Sequence, residues 1–171
     1  ARTVAAPARD AARGAIKRLA GKANCMYDSI LVPTDGSDAV DRTLPHALRL
    51  AADHDATVRA LAVVDIRSIQ AAGADDRDGV DAELTADAEA AVADVADRAA
   101  EQDLDVETSV RHGTPDKEII HETNEAEIDV IVIGTDSKSP REKIALGSVS
   151  ERVVDSAEVP VFVVKGSENE E

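Results

Sequence analysis

Five short apolar runs, each ending in turn residues, most constrain what this chain can fold into. They lie within Asp28 to Asp35, where Pro33 stops the strand, and at Thr57 to Asp65, Val106 to Arg111, Val130 to Ile133 and Val161 to Lys165. Each is too short for a buried helix and rich in β-branched residues, which reads as strand. Between them lie stretches of helical period. Val40, Leu44, Ala47, Leu48 and Ala51 form one apolar stripe behind Ser37, a candidate cap, with Pro45 placed inside it. Val80, Leu84, Ala88, Ala91, Val92, Val95 and Ala99 form a second. Thr114-Pro115, with Asp116 and Glu118 behind, starts a third that runs to about Ala126, and Ser148 to Ser156 reads as the fourth. Strict β-α alternation predicts an α/β fold: an open five-stranded parallel sheet, Rossmann-like, with helices on both faces.

That topology says where to look for a site. Ligands of such sheets bind beyond the carboxyl ends of the strands, where strand order reverses. Those ends are Thr34-Asp35, Val64-Asp65, Arg111-His112, Gly134-Thr135 and Lys165. Residues 66–79, without periodicity and carrying Gly73 and Gly79, are expected to be a loop.

Charge divides the chain. Residues 1–25 hold six Lys or Arg and one acid; residues 26–171 hold 13 basic and 34 acidic residues, a net of −21. The first 25 residues are expected to be a basic extension, disordered or foreign to the domain. Residues 26–166 form the domain, and 167–171 an acidic tail. Acidic surface with so few aromatics (Tyr27 and Phe162 alone) fits a folded protein kept soluble in a very salty cytoplasm. It also argues against nucleic acid as partner, since phosphate backbones call for basic surfaces. Cys25 is the single cysteine, so neither a disulfide framework nor a thiolate metal site is available. No run approaches the ~20 apolar residues of a membrane span. The four histidines (His46, His54, His112, His121) show no metal-ligand spacing.

Two loops carry the candidate chemistry. Asp35, at a strand end, is an acceptor for an adenine amine or a ribose hydroxyl; equally, it is a turn aspartate capping the next helix. The stretch Gly134 to Ser148 follows the most apolar strand. A glycine turn, a polar loop and a helix start together make an anion-binding device. Lys138, Arg141 and Lys143 fall within six positions of an otherwise acidic chain, which favours polyphosphate; the bland alternative is a solvated loop, with Asp136 and Glu142 alongside. Gly147-Ser148 reads either as a phosphate nest or as a plain helix cap.

The segments Val32-Pro33-Thr34-Asp35-Gly36-Ser37, the loop from Gly134, Gly147-Ser148-Val149-Ser150 and Val159-Pro160-Val161 together resemble the universal stress protein family over residues 27–165. The family's nucleotide-binding branch carries Gly-x2-Gly-x9-Gly-[Ser/Thr]. Here the spacing is kept, with Ser137 at the second glycine. The resemblance implies an ATP-binding dimeric stress-response module, with Mg2+ accompanying the nucleotide. Pro33, Thr34 and Asp35 would border adenine and ribose, and Val63 would touch the base. Gly134, Ser137, Gly147, Ser148, Val149 and Ser150 would line ribose and phosphates, with Thr135 and Lys138 in the same loop. The dimer would form through Val161, Phe162, Val163 and Val164. A nucleotide-free dimer of the same family is the alternative, and a slow ATP-hydrolysing enzyme a more remote one. A response-regulator receiver is disfavoured, because the third strand ends in Arg111-His112-Gly113 without an aspartate to phosphorylate. The related α-hydrolase signature Ser-Gly-Gly-x-Asp-Ser is missing too: the turn after the first strand reads Thr34-Asp35-Gly36-Ser37-Asp38.

Overall fold

The computed structural model describes residues 2–4 (by their backbone), 26–135 and 146–165. Its elements, in chain order, are β1 (Arg2–Val4), β2 (Ser29–Pro33), α1 (Asp38–His54), β3 (Thr57–Asp65), α2 (Ile66–Ala71), α3 (Arg77–Ala100), β4 (Val106–Gly113), α4 (Pro115–Glu125), β5 (Val130–Thr135), α5 (Ser148–Ser156) and β6 (Val161–Lys165). The sheet order is β1-β4-β3-β2-β5-β6. Strands β2 to β6 are all parallel, as the alternation predicts.

Side chains alternate across the sheet and divide the core in two. On one face, Ile30, Val32, Val58, Ala60, Ala62, Val64, Val130 and Val132 pack against Val40, Leu44, Ala47, Leu48 and Ala51 of α1 and Ala88, Val92, Val95 and Ala99 of α3. On the other, Leu31, Leu61, Ile131 and Ile133 meet Ile119 of α4 and Val153 of α5. The helical stripes read from the sequence are the faces that pack.

Three features differ from expectation. The first concerns residues 1–25: Arg2–Val4 adds an antiparallel strand outside β4, with Arg2 opposite Val110 and Val4 opposite Thr108. An edge strand offers unpaired N–H and C=O groups, and a short extended segment satisfies part of them. The second is the expected loop at 66–79. Asp65 accepts a hydrogen bond from the Arg67 amide at 2.9 Å, which starts the one-and-a-half-turn α2, and α3 begins already at Arg77. The third is a capping role. Ser37 and Thr114 stand at the cap positions of α1 and α4 in extended conformation, but neither side chain makes a capping hydrogen bond. Helix α1 runs through Pro45 without interruption. Among the described residues, no helix is long and apolar enough to cross a membrane.

Candidate functional site

The parallel strands start in the middle of the sheet at β2, build outward through β3 and β4, then return to the other side with β5 and β6. The reversal lies between β2 and β5, and there the two strands part. Their pairing covers only Ile30 with Val130 and Leu31 with Ile131. At the amino end it is locked: Asp129 Oδ2 accepts from the amides of Asp28 and Ser29 at 2.7 and 2.9 Å. Beyond Leu31, β2 follows β3, and the Thr34 amide donates to the Leu61 carbonyl at 2.8 Å. Strand β5 follows β6 as far as Thr135 opposite Lys165.

A cavity of about 330 Å³ opens where they diverge, near the lower end of small-molecule pockets, ~300–1,000 Å³. Its floor is apolar, from Val32, Pro33, Leu61, Val63, Ile119 and Ile133, with Pro115 at the side. Its polar lining comes from Thr34, Asp35, Ser37, Thr43, Thr135, Ser148 and Ser150. Of the sequence-predicted residues, Pro33, Thr34, Asp35, Val63, Gly134, Thr135, Gly147, Ser148, Val149 and Ser150 all line it. Ser137 and Lys138, with Arg141 and Lys143, lie outside the described residues.

For Asp35 the structure shows the turn role. Its Oδ1 accepts from the Ser37 amide at 3.0 Å, an aspartate turn. Gly36 within that turn has φ +72°, a conformation that favours glycine, and its amide donates to Thr34 Oγ1 at 3.2 Å. The second carboxylate oxygen has no hydrogen-bond partner among the described residues. Asp35 is exposed and is the single formal charge among the described lining residues.

The two glycines of the second loop have different reasons. A Cβ on Gly134 would lie 2.4 Å from Thr43 Oγ1 and 3.1 Å from the Ala39 carbonyl, so the close approach of α1 demands glycine there. Gly147 has φ −62°, open to any residue, and its Cβ would meet only Thr135 Oγ1 at 3.4 Å. The backbone therefore does not require glycine at 147. The Gly147 amide donates to Thr135 Oγ1 at 2.8 Å, and Ser150 Oγ donates to the Gly134 carbonyl at 3.1 Å. Gly147 is the cap residue of α5, and Ser148 its exposed first residue.

Charged groups stand near the strand ends outside the cavity lining. Arg67 makes a forked contact to Asp65, with Nη2 to Oδ2 at 2.6 Å, and its hydrogen bonds hold the Asp65 carboxyl below its usual range. Arg152 of α5 reaches Asp116 of α4 at 3.5 Å. Among the described residues, no group of three or more His, Cys, Asp or Glu is placed to hold a metal ion.

Sequence reasoning found the strand-end residues and missed Val32, Leu61, Ile119, Ile133, Pro115, the α1 cap Ser37 and the α1 residues Ala39, Val40 and Thr43. Pro115 follows the end of the third parallel strand, and Ile119 sits one helical turn on, so topology held a signal for both.

A family model described as "Universal stress protein family" matches residues 26–165. Universal stress protein MJ0531 of Methanocaldococcus jannaschii is 36% identical over 146 residues, which span 85% of this chain and 86% of the relative. The solved structure of hypothetical protein MJ0577, from the same organism, superposes with a TM-score of 0.75 at 28% identity, covering 85% of this chain and 99% of that one. A crystal structure of a universal stress protein in complex with cAMP superposes with a TM-score of 0.63 at 25% identity, over 81% of this chain and 97% of that one.

Proposed function

Because the chain belongs to the universal stress protein family, we propose that it binds an adenine nucleotide, ATP, between the parting ends of β2 and β5, and acts as a dimeric module of the stress response. The observation that carries this reading is the pocket itself. It has an apolar slot, one carboxylate on the β2 side and a helix amino end on the β5 side. The base lies against Pro33, Leu61 and Val63. The free oxygen of Asp35 accepts from the ribose hydroxyls. The phosphates meet the amino end of α5, where the N–H groups of Ser148, Val149 and Ser150 have no intrahelical acceptor. Lys138, Arg141 and Lys143, close in sequence between Thr135 and Gly147, add positive charge that favours a phosphate ligand. The cAMP complex of a relative with this fold supports an adenine ligand.

Binding is favoured over turnover. Asp35 is the one titratable group among the described lining residues, and its Oδ1 is engaged in the turn. Nothing beside it there could serve as general base to a water. A magnesium ion would be held mainly by the phosphates and water, as this ion usually is at nucleotide sites. The dimer forms through the outer edge of β6, where Phe162 is 48% exposed. The net charge of −16 suits work in a cytoplasm of high ionic strength.

The test is to purify the protein, denature it and assay the supernatant for released nucleotide, then add ATP to stripped protein and follow its melting. Released adenine nucleotide and a raised Tm are expected. At a ligand concentration 100 times Kd, stabilisation is about 2.7 kcal/mol. Neither release nor shift would favour the nucleotide-free dimer, the reading that Ser137 in place of a family glycine keeps in play.

A further inference from the structure

We propose that the hydroxyls of Thr135 and Ser150 are positioning groups for the phosphate end of the nucleotide, acting by fixing the amino end of α5. This inference rests on the adenine-nucleotide reading above. By sequence position both residues fall among those that would contact ribose and phosphates. Their geometry gives them another task. Both are buried, at 2% and 4% exposure, and each hydroxyl makes one hydrogen bond between the strand end and the helix start. Thr135 Oγ1 accepts from the Gly147 amide at 2.8 Å, across 12 positions of chain. Ser150 Oγ donates to the Gly134 carbonyl at 3.1 Å, across 16 positions. The two bonds join the same two segments in opposite senses. The strand end offers a hydroxyl acceptor and a carbonyl; the helix start offers an amide and a hydroxyl donor. Neither segment can then turn relative to the other without breaking a bond in a buried place, where water does not replace the lost partner.

The consequence falls on the helix start. The Gly147 amide is consumed by Thr135, so it is not a phosphate donor. The next three amides, of Ser148, Val149 and Ser150, have no intrahelical acceptor, and the cap residue, a glycine, places no side chain on them. These three residues line the cavity, and with the helix dipole behind them the direction of their amides is set before any ligand arrives. Donors fixed in advance cost no reorganisation when the anion binds. A helix start free to swing would lose part of its affinity for phosphate and none of its affinity for the nucleoside, which the far side of the pocket holds.

The ordinary alternative is that these hydroxyls merely fasten helix to sheet. The two differ in how affinity splits between ligands. We would titrate the full-length wild type, Thr135→Val and Thr135→Ser calorimetrically with ATP and with adenosine. Thr135→Val keeps the shape and removes the acceptor. It should weaken ATP about tenfold and adenosine by no more than about twofold, and Thr135→Ser should restore ATP affinity. Hydrogen exchange of the Gly147 amide should accelerate in Thr135→Val and recover in Thr135→Ser. Equal weakening of both ligands, or unchanged ATP affinity, overturns the proposal while leaving the nucleotide reading standing. Should Thr135→Val not fold, Ser150→Ala makes the same comparison, with the same split expected. A wild type that binds neither ligand removes the nucleotide reading, and this inference with it.

Discussion

Arg111, on β4, is held by the carboxylates of α4. Its Nε donates to Glu122 Oε2 and its Nη2 to Glu125 Oε2, both at 2.6 Å, and its Nη1 lies 2.9 Å from His121 Nδ1. Glu122 is only 5% exposed, so removing the cation strands a buried carboxylate. Arg111→Leu should destabilise the protein by about 3 kcal/mol near neutral pH, measured by urea unfolding. The pairing also sets the sign of a pH effect. Arg111 hydrogen bonds hold the Glu125 carboxyl below its usual range. That stabilisation is complete above the ordinary carboxylate pKa and is lost as pH falls through the lowered one, so the gap between wild type and variant should narrow in acid. An equal gap at pH 7 and pH 3 would contradict this account. None of it was legible in sequence, because Arg111 and Glu122 meet only once α4 is laid across β4. The same holds for the glycines. In sequence, Gly134 and Gly147 look alike; only the approach of Thr43 and Ala39 shows that the first is demanded by packing.

At the scale of elements, β6 is the instructive case. Its apolar run was plain in sequence, and its place at the sheet edge follows from the strand order. Which of its residues a partner could touch was not plain, since that depends on which face each side chain takes. Val163 packs with the core on the α4 and α5 side, whereas Phe162, in register with Val132, is 48% exposed. Phe162→Asp is therefore the cleaner probe of the proposed dimer. It should convert a dimer into a monomer in sedimentation or light scattering with little change in Tm. A variant that stays dimeric would move the interface elsewhere. Other elements were read well or badly for equally physical reasons. The stripes of α1 and α3 repeat every three to four residues and were visible. Helix α2 was not, because it has no fully buried residue, only the half-buried Ile69, and owes its start to Asp65 with Arg67.

For the molecule as a whole, the β-α alternation was enough to give the parallel sheet and the five strand ends where a site could lie; residue content, not alternation, singled out the two loops that frame the cavity, and the reversal between them needed the strand order. The alternation could not give the cavity's floor. Leu61, Ile119 and Ile133 reach it because pairing between β2 and β5 stops after Leu31, a register that the apolar pattern of the strands leaves open. Nor does the overall charge of −16 mark an anion site; the proposed one rests on the start of α5 and, in sequence alone, on the clustering of Lys138, Arg141 and Lys143. The central claim is that an adenine nucleotide occupies this one cavity. Its most direct test is calorimetric titration of ATP into nucleotide-stripped wild type and into Val63→Trp, whose indole would fill the slot that the base is to take. The account predicts one ATP per wild-type chain and a loss of at least about tenfold in the variant, ~1.4 kcal/mol, with Tm nearly unchanged. Equal affinity in the two proteins, or no binding by the wild type, would contradict it.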